Sequence, residues 1–545
     1  MKDDENLSMN KIKHSLEKIL IVVPPLVNVD DDDPDPNRLD IESRRLVSPV
    51  EPMMVASDLL SRGFDVELFD LGVHVDNRYE NLHLKIESCR PDAVILVQSI
   101  LTYVTATDWN GATVFDMARE ICPQSITVLT GNTATNYPSK AVEAKVCDYA
   151  IKGEVDFAIG DLLECLNAGG DIKALPGIIC RGKAGRAHVS DIYPEVDTAK
   201  LPMPAYHILD EEHKRGYTEL LEIGKIRYPE RSRSYRDIMV SRSCTLRCSF
   251  CSVAHLRGPR QKYRRKPLDL VMREIEQALD QGVEEIHFFD ELFADQESEL
   301  IEFADALAKR NLNFPWFVGQ GMPLWPVTSD ALTALVETGM YRLIAPYESG
   351  NDRALRECAG KIYSTVEHHH NVTLWARELD LEIIGLFVIG LPGETRKEIL
   401  DTLLFAEDHP EIDYSVFSIA TPLVGTRLQK RVLKEGQLDD EDKVNRVIKR
   451  TVSLYHTDSF REYEMGVIRA FDWERINFST PERKEKYARM VGLTTKELDM
   501  LITHSRGVFE RFYPGYDGPK SFKELYHQPD LFMESGPLIP GRMIG

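Results

Sequence analysis

Short apolar, β-branched runs alternate with amphipathic stretches in two series along this chain, and that alternation limits its folds most. The first series is KILIVVPP (18–25), DVELFDLG (65–72), AVILVQS (93–99), SITVLTG (125–131) and DYAIKG (148–153). Amphipathic stretches such as 53–63 and 141–146 lie between them. Strand and helix patterns at this spacing predict a doubly wound, Rossmann-like parallel sheet. Ligands of such sheets sit beyond the carboxyl ends of the strands, near a topological switch point. Those ends carry Pro24 and Pro25, Ser99 to Leu101, Gly131–Asn132–Thr133, and Gly153–Glu154. The acidic run 29–36 reads as a solvated loop. Segments 177–182 and 187–190 read as a small hairpin, and the proline-containing stretch 191–235 as a linker.

The alternation then resumes. Strands are expected at 236–242, 284–292, 315–321, 341–350, 381–390 and 413–422, with helices at 267–281, 296–310, 329–338, 364–379 and 395–408. Six β/α units predict a partial version of the eightfold barrel, whose chemistry gathers at the C-terminal ends of its strands. Beyond residue 435 the pattern turns helical and charged. The expected division is a sheet domain over 15–190, the linker, a (β/α)6 barrel over 236–435 and a helical region over 436–545.

A chain of 545 residues is too long for one core. The formal net charge of -22 argues against nonspecific binding of nucleic acid or anionic lipid. The polar N-terminus is no secretory signal, and no apolar run approaches the ~20 residues needed to cross a bilayer. A cytoplasmic enzyme is the expectation. Nine cysteines in a chain this long do not make a disulfide scaffold. Six are scattered singly, whereas Cys244, Cys248 and Cys251 crowd into eight residues.

These three, in MVSRSCTLRCSFCSVAHLRG, sit on the loop after the first barrel strand. Three close thiolates can hold three irons of a four-iron cluster and leave the fourth open to a chelating ligand. A structural zinc site would need a fourth donor, for which His255 is nearest. The Cys-x-x-x-Cys-x-x-Cys spacing, with Phe250 before the last cysteine, resembles the signature of the radical SAM superfamily over about residues 236–430. The resemblance implies a 4Fe-4S cluster on the three cysteines, with S-adenosylmethionine (SAM) chelated to the open iron and cleaved reductively. It also implies SAM contacts from Phe250, Asp290 and Glu291 in FFDEL, Glu348, Ser349 and Gly350 in YESGN, Gly390 and Pro392 in IGLPGET, and Thr421. The basic run 257–266 (Arg257, Arg260, Lys262, Arg264, Arg265 and Lys266) reads either as a solvated face or clamp or as an anion site. His368, His369 and His370 fall on one helix, where successive side chains point different ways, so no metal site is expected there.

The sheet domain resembles the cobalamin-binding domain of class B radical SAM enzymes, with GNTATNYP and Gly153–Glu154 as the telling parts. Asp-x-His-x-x-Gly is absent, since Asp70 and His74 have the wrong spacing. The resemblance therefore implies base-off cobalamin, carried as methylcobalamin, without a histidine ligand. Pro24, Pro25, Ser99, Leu101, Tyr103, Gly131, Asn132, Thr133, Gly153 and Glu154 are the positions expected around it. Together the two parts resemble cobalamin-dependent radical SAM methyltransferases, especially those of phosphonate and phosphinate antibiotic biosynthesis. That implies methylation of an unactivated carbon or a phosphinate phosphorus of a small phosphorus-containing intermediate, with flavodoxin or ferredoxin as electron donor. Gln320, Met322, Trp325 and Tyr347 are expected pocket walls, and Cys358 is a candidate hydrogen donor. The alternatives are a cyclase or rearrangement enzyme of the same architecture, and a non-catalytic cobalamin or iron–sulfur sensor. A methylthiotransferase would want a second cysteine cluster, which the scattered cysteines do not supply.

Overall fold

The computed structural model describes residues 15–24, 49–73, 77–98, 111–182, 185–211, 213–214, 231–232, 234–258, 262–438 and 453–527. Contacts gather the chain into two units, Met1–Gly224 with Val253–Arg264, and Lys225–Ser252 with Arg265–Gly545.

The first unit is built on a seven-stranded sheet of β1 (Lys18–Val23), β2 (Asp65–Asp70), β3 (Ala93–Leu96), β4 (Ile126–Leu129), β5 (Tyr149–Ile151), β6 (Ile178–Arg181) and β7 (Ala187–Val189), in the order β2-β1-β3-β4-β5-β6-β7. The first five strands are parallel, and β6 and β7 add an antiparallel hairpin. Because β1 lies between β2 and β3, the switch point falls between β1 and β3. The run KILIVV is apolar on both faces because both faces are covered. Ile19 and Ile21 enter one apolar cluster, and Leu20 and Val22 enter the other. The first part of the expected linker packs on this unit: Ala205 N donates to Met53 O at 3.1 Å, and Ala205 and Leu209 join its core, whereas Arg231 and Ser232 at its far end bond Glu382 and Glu285 of the second unit.

The second unit holds six parallel strands in chain order: β8 (Tyr235–Ile238), β9 (Glu285–Phe288), β10 (Trp316–Val318), β11 (Met340–Glu348), β12 (Glu382–Ile389) and β13 (Tyr414–Ile419). Sequential order with a helix between successive strands from β9 onward is the partial barrel that the alternation predicts. Thr328, Thr365 and Thr395 stop the preceding loops by accepting helix N–H groups, which sets where three of the outer helices begin. Trp316 is fully buried among Phe288, Phe293 and Phe303, with the Phe288 ring edge-on at 5.3 Å. At the N-terminal ends of the strands, His287 stacks between Tyr235 and Phe317, and Glu285 accepts from Tyr341 at 2.5 Å. Polar groups at this end brace the barrel, leaving the other end for chemistry.

The helical segment after residue 453 belongs to the barrel's core. Tyr455, Phe460 and Met465 share one cluster with Ile389 and Leu391. Asn477 Oδ1 accepts from Ser415 N at 2.6 Å, and its amide donates to Ser415 O at 2.8 Å. Among the described residues no helix is long and apolar enough to cross a membrane.

Trp316→Ala removes the largest fully buried side chain of the barrel and is expected to destabilise the second unit by about 3–5 kcal/mol. Urea unfolding followed by tyrosine and tryptophan fluorescence measures it; a loss below about 1 kcal/mol contradicts the packing described.

Candidate active site on the cysteine loop

The parallel register sets Ile238 beside Phe288, so the loops that follow β8 and β9 leave the sheet side by side. Asp290 uses this proximity. Its Oδ1 accepts from Val240 N at 2.8 Å, Ser241 N at 2.7 Å and Ser241 Oγ at 3.1 Å. Burial pushes its carboxyl up to about 7, although those hydrogen bonds favour the anion. Glu291 accepts from Ser243 N through a short hydrogen bond. Ser243 lies in the left-handed region with φ 64°, a conformation that needs such support in a non-glycine residue. The pair expected to contact SAM thus fastens the start of the cysteine loop. Asp290 is fully buried, with Oδ1 taken by this segment and Oδ2 left without a hydrogen-bond partner.

Cys244, Cys248 and Cys251 follow, all half-buried and reduced. Burial pushes the Cys244 thiol up to about 12, with Cys251 adding to the shift, and pushes Cys248 higher still. A metal would reverse this, since ligation requires the thiolates. Lys361 supplies a neighbouring positive charge. Burial alone would lower its pKa, yet Glu348, Cys248 and Cys244 raise it. Its ammonium pairs with Glu348 at 2.9 Å and donates to Pro346 O at 2.8 Å. Glu348 ends β11 with φ 62°, so the YESGN segment contributes a second left-handed residue beside the cysteines. No sequence pattern marks Lys361, because it lies in an irregular segment. Among the described residues no three His, Cys, Asp or Glu side chains gather tightly enough to hold one ion. That does not fit a tetrahedral zinc centre. A cluster takes each thiolate on a different iron, so its cysteines need not meet at one point.

Other predicted residues turn elsewhere. Ser349 and Gly350 bond to Thr402, and a Cβ on Gly350 would lie 2.5 Å from Asp401 O. The close approach at Gly350 is thus to the helix Arg396–Asp408. Gly390 has φ 77° and faces Met465, while its carbonyl accepts from Tyr455 at 2.6 Å. Pro392 O accepts from Arg431 at 2.8 Å, and Thr421 is half-buried just past β13. Phe250 packs on the barrel core. Gln320 is exposed, and Trp325 donates to Asp295 O at 3.1 Å. Met322 and Tyr347 are fully buried. Tyr347 bonds Thr373 on an outer helix and stacks on Phe387 within the barrel core. His368 faces Leu324 O, His369 is buried, and His370 meets His409 at 2.8 Å, so the three histidines do diverge.

Cys358 lies on a π-helical turn, Ala354–Ala359, and lines a cleft of about 370 Å³. Burial pushes its thiol up to about 11. The cleft's opposite wall is the cysteine loop, Thr245 to Arg247 with Ser249. Nearby Glu394 is fully enclosed. Its Oε2 accepts from Leu391 N at 2.7 Å, its Oε1 has no hydrogen-bond partner, and burial pushes the carboxyl up to about 8.

In the first unit, Pro24 is buried at the end of β1, and Gly131 opens a helix with φ 78°. A Cβ on Gly131 would collide with Gln98 O, and Thr133 N donates to Gln98 Oε1 at 3.2 Å. Asn132 is buried beside them, and Gly153 N donates to Thr135 Oγ1 at 3.1 Å. Pro25, Ser99, Leu101 and Tyr103 lie outside the described residues. Glu154, expected beside cobalamin, is engaged within the protein. Its buried carboxylate holds Arg264 at 2.6 Å and Arg257 at 3.7 Å and accepts from Val196 N at 2.9 Å, while Arg257 also pairs with Glu51 at 2.9 Å. The basic run is likewise spent on carboxylates: Arg265 pairs with Glu302 at 2.7 Å and Lys266 with Glu274. Arg260 lies outside the described residues.

Residues 238–406 match the radical SAM superfamily. Over 408 residues the chain is 24% identical to a cytidylyl-2-hydroxyethylphosphonate methyltransferase of Streptomyces wedmorensis, covering 68% of this chain and 73% of that one. Its fold is similar to TsrM, a radical S-adenosylmethionine methyltransferase from Kitasatospora setae solved with cobalamin and a [4Fe-4S] cluster, with TM-score 0.59, 17% identity and coverage of 77% and 78%. It is also similar to OxsB, a cobalamin-dependent radical enzyme solved with aqua-cobalamin and S-adenosylmethionine, with TM-score 0.61, 13% identity and coverage of 94% and 75%.

Glu154→Ala leaves two arginines short of a buried partner and is expected to cost about 3–5 kcal/mol in the first unit. Chemical unfolding monitored by circular dichroism tests this; an unchanged midpoint removes the clamp. Glu394 binds a proton in the folded chain that the unfolded chain releases above its ordinary value of 4.5, so wild-type stability should fall as pH rises from there to about 8. Glu394→Gln should abolish that component. Melting temperatures at pH 5 and pH 8.5 (roughly either end of the window) should diverge between the two proteins, and parallel profiles contradict the assignment.

Proposed function

We propose that this chain, which carries a radical SAM domain and is similar to cobalamin-dependent radical SAM methyltransferases, moves a methyl group from SAM by way of cobalamin onto a small phosphorus-containing substrate. The observation that carries this reading is the cysteine triad: three thiols at close spacing on one braced loop at the C-terminal end of β8. Cys244, Cys248 and Cys251 would hold three irons of a 4Fe-4S cluster, whose bound state supplies the electron for reductive cleavage of SAM.

The chain's own residues do the positioning. Asp290 and Glu291 hold the loop's entry through Val240, Ser241 and Ser243. Lys361 places a buried positive charge beside Cys244 and Cys248, which favours their thiolate forms. Tyr455, Phe460 and Met465, from the segment that leads into and opens the helical turns Glu462–Asn477, would exclude water from the end of β12. For cobalamin, the switch point between β1 and β3 offers the ends of Pro24, Gln98 and Gly131 to Thr133. His213, the buried histidine of this unit, accepts from Asp70 N at 3.0 Å and contacts Asp210 at 2.7 Å, so its ring is engaged within the protein. The phosphorus-containing substrate rests on the Streptomyces wedmorensis relative and on the sequence resemblance. A cytoplasmic location goes with cluster chemistry, which needs reduced thiols.

The test is reconstitution of the full chain with iron, sulfide and cobalamin, then turnover with methyl-labelled SAM and cytidylyl-2-hydroxyethylphosphonate. Label is expected in the product, together with 5′-deoxyadenosine, and both should vanish in Cys248→Ala. 5′-Deoxyadenosine with an unlabelled, rearranged product would mean a cyclase or isomerase. No SAM cleavage under any reductant would leave a sensor.

A further inference from the structure

The outer side of the cysteine loop faces a basic surface in a strongly acidic chain. Arg247, Arg356, Arg427 and Arg431 line the cleft beside Cys358, with Glu357 the acidic side chain among its lining residues. The helix Arg427–Lys434, RLQKRVLK, buries Leu428, Gln429 and Val432 and exposes Arg427, Lys430, Arg431 and Lys434. Four cations and no acid on one eight-residue helix stand out against a net charge of -22. The rim is apolar: Ile362 and Tyr363 are both 59% exposed, among the few large hydrophobic side chains so exposed in the described structure.

This surface is joined to the cysteine loop by hydrogen bonds. Leu428 N donates to Ser249 O at 2.8 Å, Ser249 N donates to Ala359 O at 2.7 Å, and Arg427 donates to Arg247 O. Ser249 lies between Cys248 and Cys251. The cleft wall is therefore the backbone of the cysteine loop itself, and anything seated there is one layer of chain from the thiols.

We propose that this basic, apolar-rimmed face is the docking site of an acidic one-electron carrier protein. The proposal rests on the cluster reading above, because that reading requires an electron from outside. One electron leaves the carrier's prosthetic group, which is oxidised; the cluster on the three cysteines is reduced by one, and no bond to the protein forms or breaks. Several features favour a protein over a small anion. The Arg427 guanidinium is engaged by Arg247 O, and that of Arg431 by Pro392 O and by Glu435 at 2.9 Å, instead of converging on one point. The charges of Lys430 and Lys434 spread along an exposed helix face beyond the cleft. An exposed tyrosine and isoleucine beside arginines is the composition of a protein interface core. Opposite charge also speeds encounter, in a salt-dependent way.

The experiment uses the reconstituted full chain with an acidic flavodoxin and, separately, dithionite as reductant. Lys430→Glu and Arg356→Glu are the test variants, and Lys496→Glu, on an exposed helix elsewhere, is the control. Each test variant should raise the half-saturating flavodoxin concentration for 5′-deoxyadenosine formation by about tenfold and flatten its salt dependence. Dithionite-driven cleavage should stay at the wild-type rate. Flavodoxin binding, measured by thermophoresis without SAM, should weaken in parallel. Unchanged flavodoxin dependence in both variants overturns the proposal, as does equal loss with both reductants. Inorganic pyrophosphate bound by the wild type, with flavodoxin binding unaffected in the variants, would overturn it in favour of a small-anion site. If dithionite cleaves no SAM in the wild type, the cluster reading fails; thermophoresis then judges the surface alone, supporting it if the two variants lose binding and the control does not, and overturning it otherwise.

Discussion

One buried carboxylate oxygen, Asp290 Oδ1, collects two backbone N–H groups and a hydroxyl from the segment that leads into the cysteine loop. An irregular loop cannot satisfy its own amides as a strand or helix does. Here the neighbouring strand end satisfies them, and the loop's path is set before the first cysteine. Glu291 does the same for Ser243, whose left-handed backbone turns the chain toward Cys244. The thiols are thus presented by a scaffold and not by a mobile loop, which is what a preorganised centre needs. Everything proposed for the second unit, from cluster to carrier docking, depends on that bracing.

The same economy governs the other conspicuous charges. Glu154, Glu348 and Glu394 all end or follow strands where ligands of such folds sit, and all three are buried. A buried charge must be paired or neutralised. Glu154 pairs with Arg264 and Arg257, Glu348 pairs with Lys361, and Glu394 keeps its proton. These groups shape the surroundings of the cysteine loop, whose thiols would carry the proposed chemistry. Lys361 joins the two roles, because its charge answers Glu348 and the thiols together.

The two faces of the cysteine loop divide the work of the proposed enzyme. The cleft side is basic and open, and one residue between the cysteines, Ser249, is tied into its wall. The opposite requirement, exclusion of water, falls to the helical segment after residue 453, which closes over β12 by sharing its apolar core with the barrel. A one-electron input from outside and a radical chemistry kept dry within are compatible only if they use different faces.

Fold class was legible because both periodicities are strong. Apolar runs such as KILIVV and EIIGLFVI are buried on both faces, and only strands covered on both sides tolerate that pattern. Every strand and outer helix expected from periodicity is present in the structure, usually a few residues shorter at its ends, where backbone groups turn to loop partners. The cysteine triad was legible for a different reason: thiols at close, fixed spacing are rare without a metal to hold. What the sequence could not decide was which way side chains at the strand ends face. Asp290, Gly350, Tyr347 and Glu154 stand at positions where a ligand contact and a structural clamp look alike in one dimension. Their partners lie 26 to 110 residues away, among them Val240, Asp401, Thr373 and Arg264. Tertiary packing alone brings such partners together, because a buried polar group takes whichever partner the fold sets beside it.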